Sequence, residues 1–453
     1  MAARATWIAG SILGQVQGRD PFPTDEPKAR TWVVHPSMYD ADSLRRDSAA
    51  RLEEAVALTR AIDLDVRGSE IAPVRAPRPA TLIGQGKVDQ IGQVVADEGI
   101  DLVIVDAALT PVQQRNLERA WTCKVIDRTG LILEIFGERA ATREGVLQVE
   151  LAALSYQRSR LVRSWTHLER QRGGLGFIGG PGESQIELDR RRIDERMVNL
   201  RQELDDVRRT RGLHRNARKR VPYPVVALVG YTNAGKSTLF NRLTGADVHA
   251  EDKLFATLDP TMRTVRLPSG KQVILSDTVG FITDLPTALI AAFRATLEEV
   301  LEADLLIHVR DITHVESEAQ ARDVEMVLDE LGVDEKSRRD NMIELWNKSD
   351  RLDDSQRQAL ATEVARRPEI HLVSAVTGSG LNELLGLVDQ RLAKDDRVIE
   401  VHLNHEQGAI LSWLHQQGRV ISRDDGETGT TVKVALSGSV HSQLEQKLRR
   451  ELP

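Results

Sequence analysis

A glycine-rich loop between a strand and a helix constrains this chain more than any other feature of its sequence. The stretch from Val225 to Val229 is apolar, and the pattern from Thr238 to Leu243 predicts a helix. The loop between them has the spacing of a phosphate-binding loop, in which main-chain N–H groups and the helix N-terminus hold a β-phosphate. It consists of Gly230, Tyr231, Thr232, Asn233, Ala234, Gly235, Lys236 and Ser237, followed by Thr238. The sequence therefore predicts an α/β domain with a nucleotide at the end of this strand.

Side chains in and after this loop are suited to a nucleoside triphosphate with its magnesium ion. The ammonium of Lys236 can neutralise β- and γ-phosphate oxygens, and the hydroxyl of Ser237 is a hard oxygen ligand of the kind that Mg²⁺ prefers. A second apolar stretch, 271–276, ends in Asp277, Thr278, Val279 and Gly280. We predict that Asp277 holds Mg²⁺ through a water molecule and that the main-chain N–H of Gly280 faces the γ-phosphate.

A further motif predicts that the base is guanine. It follows the apolar stretch 342–346 and consists of Asn347, Lys348, Ser349 and Asp350. The Asp350 carboxylate can accept hydrogen bonds from guanine N1–H and the exocyclic amine, whereas adenine would leave it unpaired. A site that leaves such a group unpaired typically rejects the wrong substrate by a factor on the order of 10⁴ or more. We expect Lys348 to cover the base plane and Asn347 to connect neighbouring loops. A main-chain N–H for the guanine carbonyl is expected from the loop of Ser374, Ala375 and Val376.

The segment between the phosphate loop and Asp277 is expected to sense the γ-phosphate. Thr257 is the preferred candidate for a threonine that joins Mg²⁺ only when the γ-phosphate is present, with Thr261 and Thr264 as alternatives. The nucleotide-contacting residues predicted around it are Phe255, Ala256, Thr257, Leu258 and Asp259. With Lys236, Thr257 and Gly280 as catalytic residues, the set predicts an enzyme that hydrolyses GTP; an ATP-driven enzyme is the alternative that Asp350 disfavours.

Two runs of apolar residues at three- and four-residue spacing predict a pair of helices upstream of the phosphate loop. The first extends from Leu147 to Leu168 and the second from Ile193 to Val207, so we expect an antiparallel hairpin. The connection, residues 172–183, contains six glycines, which predicts a loop at the tip of the hairpin.

The hairpin is basic although the chain has a formal net charge of −7, because residues 158–220 carry 17 Lys or Arg and 9 Asp or Glu. Glycine-rich backbone with apolar and arginine side chains is suited to RNA contact. A plain flexible connector is the alternative. The predicted RNA-contacting residues are Arg172, Gly173, Gly174, Leu175, Gly176, Phe177, Ile178, Gly179, Gly180, Arg190, Arg191 and Arg192.

The length of 453 residues is too great for one hydrophobic core and predicts several domains. We expect a P-loop GTPase domain, preceded by an α/β domain with a long antiparallel helical hairpin and followed by a small α+β domain. The boundaries are a tail at 1–29, the α/β domain at 30–140, the hairpin at 141–221, the GTPase domain at 222–393 and the last domain at 394–453. The single cysteine, Cys123, and the lack of a long apolar run predict a cytoplasmic monomer without a transmembrane segment.

Five stretches of the sequence together resemble the HflX family of ribosome-associated GTPases. They are 173–183 followed by Asp189, Arg190 and Arg191; the phosphate loop; Ile83 to Lys87; Val125 to Gly130; and Thr142 to Gly145. The resemblance covers about residues 75–390 and implies a partner, the large ribosomal subunit with its rRNA. It also implies that the hairpin tip reaches the peptidyl-transferase region and that the GTP-bound protein splits or rescues stalled ribosomes. The alternative is a GTP-gated RNA- or protein-binding switch in ribosome biogenesis or another RNA process.

The residue after Gly280 predicts slow intrinsic hydrolysis. Phe281 occupies the position of a water-orienting glutamine, and its ring cannot hydrogen-bond the attacking water. We therefore expect stimulation by ribosomes. K⁺ is a second candidate activator, because Asn233 resembles the phosphate-loop residue of potassium-activated relatives.

Overall fold

The computed structural model of the chain describes residues 28–38, 46–171, 181–218, 223–245, 255, 261–283, 299–367, 369–393, 397–404, 407–426, 428–436 and 438–451. The chain divides into two units by its internal contacts. The first comprises Met1–Arg209 with two short later segments, Asp252–Asp259 and Thr283–Arg294. The second comprises Thr210–Glu251, Pro260–Ile282 and Ala295–Pro453. The predicted fold class is confirmed.

The first unit begins with a parallel sheet in the order β2-β1-β3-β4. Its elements are β1 (Arg30–Met38), α1 (Ser48–Arg60), β2 (Asp65–Val74), α2 (Gln85–Glu98), β3 (Leu102–Val105), α3 (Pro111–Trp121), β4 (Lys124–Asp127) and α4 (Arg128–Arg139). Every residue of β3 is buried, as expected for a central strand of a parallel sheet covered on both faces. Helix α3 begins after a capping box in which Thr110 and Gln113 satisfy each other's main-chain N–H groups.

The predicted helical hairpin is formed by α5 (Arg143–Gln171) and α6 (Pro181–Arg218). Leu147 of α5 packs against Leu200 and Leu204 of α6 in a shared core. The ion pair between Arg196 and Glu150, at 2.8 Å, and that between Arg158 and Asp194, at 2.7 Å, run in opposite order along the two helices, so they are antiparallel.

The expectation that residues 172–183 form a loop is wrong at its end, because α6 already begins at Pro181. Proline is favoured at the first helical position, where its missing N–H has no intrahelical partner to lose. Gly182 therefore lies in the first turn of the helix and not in the connecting loop. The predicted RNA-contacting residues 172–180 lie outside the described residues.

The second unit contains a six-stranded sheet in the order β10-β9-β8-β5-β7-β6, in which only the edge strand β6 is antiparallel. Its elements are β5 (Val225–Val229), α7 (Lys236–Thr244), β6 (Thr261–Arg266), β7 (Gln272–Asp277), β8 (Leu305–Asp311), α8 (Ser317–Leu331), α9 (Glu335–Asn341), β9 (Met342–Asn347), α10 (Asp354–Arg366), β10 (Ile370–Leu372) and α11 (Leu381–Leu392). The core includes Leu228, Phe240, Val309 and Leu345. This is the doubly wound arrangement that collects loops at the carboxyl ends of the strands.

A small antiparallel sheet in the order β11-β13-β12 ends the second unit. It is built from β11 (Arg397–Leu403), α12 (Gly408–Gln417), β12 (Arg419–Gly426), β13 (Gly429–Leu436) and α13 (Gly438–Glu451). Strand β12 was not predicted, because the residues after Ile421 are polar and exposed and show no alternation. Nowhere in the described ranges is there a helix with the length and hydropathy needed to cross a membrane.

The hairpin core provides a test of this packing. Leu200 is fully buried, so Leu200→Ala should lower the free energy of unfolding by about 2–5 kcal/mol through lost burial and a cavity. Val198 lies two residues away on the same helix and is 48% exposed. Val198→Ala should change the free energy by about 0.5 kcal/mol or less. Urea denaturation of the full chain, followed by circular dichroism, compares the two; equal losses would contradict the described seam.

Candidate nucleotide-binding site

The phosphate loop follows β5 in a backbone conformation that only glycine accepts at two positions. At Gly230 (φ +149°), a Cβ would lie 2.2 Å from the carbonyl oxygen of Val309 in the adjacent strand. At Gly235 (φ +94°), it would lie 2.3 Å from Nδ2 of Asn347. Helix α7 starts at the next residue, Lys236, so its first main-chain N–H groups border the loop. The loop thereby offers a concave set of donors to an anion.

Lys236 is the cation of this loop and is only 6% exposed. Its Nζ donates hydrogen bonds to the carbonyl oxygens of Gly230, at 3.0 Å, and Tyr231, at 2.8 Å. Burial lowers the pKa of Lys236 to about 8, although the nearby charge of Asp277 opposes the shift. The hydroxyl of Thr232 is buried and has no hydrogen-bond partner among the described residues. Both groups can therefore donate to phosphate oxygens without first breaking an ion pair.

Two oxygen ligands adjoin the start of α7. The Ser237 hydroxyl donates to the carboxylate of Asp277 over 2.7 Å, and Asp277 is fully buried at the end of β7. A hydroxyl and a carboxylate together at the rim of a phosphate loop are hard oxygen donors, and this donor chemistry fits Mg²⁺. Ser237 and Asp277 are thus the described residues able to hold the ion.

The main chain after β7 runs along the phosphate loop. The Phe281 N–H donates to the Gly230 carbonyl oxygen at 3.1 Å, and the Thr232 N–H donates to the Phe281 carbonyl oxygen at 2.8 Å. A Cβ at Gly280 would lie 2.9 Å from Thr232 Cα and 3.1 Å from Lys236 Nζ, so a side chain there would displace the lysine. Upstream, the Thr278 hydroxyl donates to the Leu228 carbonyl oxygen at 2.5 Å, while Val279 is buried.

The residues predicted to read the base lie after β9 and β10. Asn347 donates through Nδ2 to the Ala234 carbonyl oxygen at 2.8 Å and accepts from the Ala375 N–H at 3.0 Å. It therefore links the phosphate loop to the loop after β10. The Ser374 hydroxyl donates to the Asp350 carboxylate at 2.5 Å, which orients that carboxylate. Val376, the third predicted member of the loop, is 67% exposed.

One residue of the site was missed by sequence reasoning. Asp311, the last residue of β8, forms an ion pair with Lys348, in which Oδ2 and Nζ are 2.8 Å apart. Both side chains are largely buried. The hydroxyl of Thr313 also donates a hydrogen bond to Asp311. Burial would raise the pKa of Asp311, but Lys348 and Thr313 outweigh burial and lower it. Its position at the carboxyl end of an apolar strand could have predicted a place in the site, because the carboxyl ends of parallel strands share one edge of the sheet.

The segment predicted to sense the γ-phosphate is described only at Phe255, which belongs to the first unit. Ala256, Thr257, Leu258 and Asp259 lie outside the described residues. The alternatives Thr261 and Thr264 lie in β6, where they pair with Asp277 and Ile274 of β7. In the first unit, Arg190, Arg191 and Arg192 are exposed on α6.

Comparison with known proteins identifies a family along nearly the whole chain. Residues 49–137 match the family described as GTP-binding GTPase N-terminal, and residues 139–218 match GTP-binding GTPase Middle Region. Residues 225–348 match 50S ribosome-binding GTPase, and residues 359–452 match the HflX C-terminal domain.

Individual proteins agree with these matches. The chain is 50% identical over 407 residues to the GTPase HflX of Magnetococcus marinus. The aligned region covers 90% of this chain and 93% of that protein. The chain is 42% identical over 365 residues to the GTPase HflX of Escherichia coli, covering 80% and 84%. A crystal structure of a GTP-binding protein from Sulfolobus solfataricus with GDP is similar at 25% identity and a TM-score of 0.42, covering 80% and 98%. The family matches and the two HflX relatives confirm the resemblance seen in the sequence, and the chain belongs to the HflX family of GTP-hydrolysing enzymes.

Proposed function

We propose that this GTPase binds the large ribosomal subunit when GTP is bound, and that it separates or rescues stalled ribosomes near the peptidyl-transferase region. The observation that carries the proposal is the match of residues 225–348 to a family described as 50S ribosome-binding GTPase. Such a function takes place where ribosomes translate, so we infer a cytoplasmic location.

The second helix of the hairpin supports an RNA partner. The side chains of Arg190 and Arg192 are 51% and 78% exposed, and among the described residues they pair with the carboxylates of Asp194 and Asp189, which are 4.0 and 3.9 Å away. Exposed ion pairs at this distance contribute little in water, so these guanidinium groups remain available to phosphates. We propose that they, with Arg191 and the tip residues 172–180, contact rRNA.

We propose the following roles for the nucleotide site from its sequence motifs, supported by the contacts of the described residues. Lys236 neutralises the β- and γ-phosphates, the Gly280 N–H faces the γ-phosphate, and Asp350 reads guanine. Ser237 holds Mg²⁺, with Asp277 acting through a water molecule, and Thr257 joins this set in the GTP-bound state. When bound, Mg²⁺ neutralises charge that develops on the phosphate oxygens. Phe281, the residue after Gly280, is buried and apolar, so its side chain cannot hydrogen-bond the attacking water.

Base selection is tested by Asp350→Asn. We expect the preference to shift from GTP toward xanthosine triphosphate, because the asparagine amide can donate to the xanthine C2 carbonyl where guanine carries an amine. Equilibrium binding of both nucleotides measures the shift. Asp354→Asn is the matched control, since Asp354 is fully exposed four residues away and undergoes the same charge change. A GTP affinity unchanged by Asp350→Asn would show that this carboxylate does not read the base.

Hydrolysis by the protein alone should be slow, at roughly 10⁻⁴ to 10⁻³ s⁻¹, because Phe281 cannot orient the attacking water as a glutamine would. Adding large subunits should raise the single-turnover rate, and adding small subunits should not. Replacing Na⁺ by K⁺ tests the separate hypothesis that Asn233 supports a potassium site. Equal rates in both salts would remove the ion hypothesis and leave the ribosomal one intact.

Sedimentation with purified large subunits tests the proposed partner. The wild-type protein should co-sediment with a non-hydrolysable GTP analogue and less with GDP. Replacing Arg190, Arg191 and Arg192 together by alanine should weaken binding and flatten its salt dependence by up to about one unit of log–log slope per lost phosphate contact. GTP affinity should not change, since these residues belong to the other unit.

Two further variants separate docking from insertion at the tip. Replacing Leu175, Phe177 and Ile178 by serine should preserve co-sedimentation but abolish the splitting of stalled ribosomes. For the arginine variant described above, Arg201→Ala with Arg209→Ala, on the same helix farther from the tip, is the control for a general loss of positive charge. A wild-type protein that stays off large subunits at low and moderate salt would favour a GTP-gated switch acting on another RNA or a protein.

A further inference from the structure

Two short segments of the GTPase sequence pack within the first unit, although the chain on either side of them belongs to the second. They are Asp252–Asp259 and Thr283–Arg294, and their described residues are Phe255 and Thr283. Both residues contact the same helix, α4. Phe255 lies two residues before Thr257, and Thr283 lies three residues after Gly280. The chain therefore leads from each predicted γ-phosphate-sensing residue to α4 within three residues.

The first contact is a pair of hydrogen bonds from Arg128, the first residue of α4. Its Nε and one terminal nitrogen donate to the main-chain carbonyl oxygen of Thr283, at 3.3 and 3.1 Å. Arg128 is 2% exposed and Thr283 is 5% exposed. The acceptor is a carbonyl oxygen, so Arg128 responds to the position of the backbone at residue 283. The Thr283 side chain makes a separate contact, accepting a hydrogen bond from Arg46 at 2.9 Å.

Buried carboxylates hold the Arg128 guanidinium in place. It pairs with Asp106, and it donates to Glu54 at 3.1 Å. Burial would raise the pKa of Asp106, but Arg128 and a 2.8 Å hydrogen bond with His35 hold it well below its usual value. The planar guanidinium can serve two carboxylates and a carbonyl at once, which a lysine ammonium cannot do in the same plane. The side chain is thus fixed and is able to restrain residue 283.

The second contact lies along the same helix. The Phe255 ring meets Phe136 edge to face, with the centroids 4.7 Å apart and an angle of 81° between the planes. Phe255 is 3% exposed and has φ +57°, a left-handed conformation that is unusual for a bulky side chain. Strained backbone of this kind persists only where the surroundings over-determine it. Burial against α4 provides that restraint.

The residue before Arg128 attaches α4 to the helical hairpin. Asp127 accepts hydrogen bonds from the Tyr156 hydroxyl, at 2.5 Å, and from Arg160, at 2.6 Å, both on α5. The same carboxylate accepts from the N–H groups of Leu109 and Gly130, so it is rigidly placed. Consecutive residues therefore contact the segment after Gly280 and the first helix of the hairpin.

We propose that α4 transmits the state of the nucleotide to the hairpin, with Arg128 as the positioning residue on the nucleotide side and Asp127 on the hairpin side. A ligand shifts a conformational equilibrium only through contacts that differ between the two states. Here, any movement of Gly280 that accompanies loss of the γ-phosphate is carried by the backbone to the Thr283 carbonyl and hence to Arg128. The relay itself does not depend on ribosome binding. Only its effect on the ribosome rests on the proposed function.

Hydrogen exchange of the full-length protein, measured by mass spectrometry without ribosomes, tests the relay. Exchange of the amides in α4 and in the first half of α5 should differ between GDP and a non-hydrolysable GTP analogue. Arg128→Lys should abolish this difference in both helices while the affinities for both nucleotides remain similar to those of the wild type. Thr283→Ala is the control: it keeps the carbonyl and removes only the hydroxyl, so the difference should persist.

Tyr156→Phe tests the second half of the relay and leaves the buried ion pairs intact. The nucleotide-dependent difference should persist in α4 and become smaller in α5. A difference in α5 of wild-type size in this variant would overturn the proposal even if Arg128→Lys failed to fold. Absence of any difference in the wild type would also overturn it. Sedimentation with large subunits is scored separately, so a relay without ribosome binding would contradict only the proposed function.

Discussion

The parallel arrangement of neighbouring strands in the six-stranded sheet is the constraint on which the nucleotide site depends. Parallel strands end at one edge, so the loops after β5, β7, β8, β9 and β10 leave the sheet together. The register brings Leu228 opposite Asp277 and Asp311 opposite Asn347. Asn347 then closes the arrangement through hydrogen bonds to the phosphate loop and to the loop after β10. Backbone pairing therefore brings the residues of the predicted nucleotide site to one edge of the sheet.

Close backbone approach makes this site rigid and explains where glycine is required. Gly230, Gly235 and Gly280 each lie against an atom that a Cβ would displace: a strand carbonyl, the Asn347 amide and the phosphate-loop main chain. Rigid donors cost no reorganisation when charge develops on a phosphate, which favours electrostatic stabilisation. Phe281, the residue after Gly280, is buried and apolar, and its main chain is fixed by the two hydrogen bonds to the phosphate loop.

The first unit is organised around two consecutive charged residues at the junction of β4 and α4. Asp127 caps α4 and holds α5, while Arg128 is enclosed by Asp106, Glu54 and the Thr283 carbonyl. Removing one member of a buried pair leaves an uncompensated charge, which is far more costly than the net value of the pair. These groups therefore specify one arrangement of α4, the first helix of the hairpin and the main chain at Thr283.

Sequence patterns predicted what depends on neighbouring residues: the strand, loop and helix around the phosphate loop, the apolar seams of the hairpin and the fold class. Glycine spacing and helical periodicity are local, so they can be read along the chain. Only the tertiary structure decided which distant polar groups meet. The contact of Arg128 with the Thr283 carbonyl spans 155 residues, and that of Lys348 with Asp311 joins two strands. Strand β12 likewise forms because β13 supplies its hydrogen-bond partners, although its residues after Ile421 are polar. Ion pairs and edge strands depend on what the fold brings near them, and no local pattern carries that information.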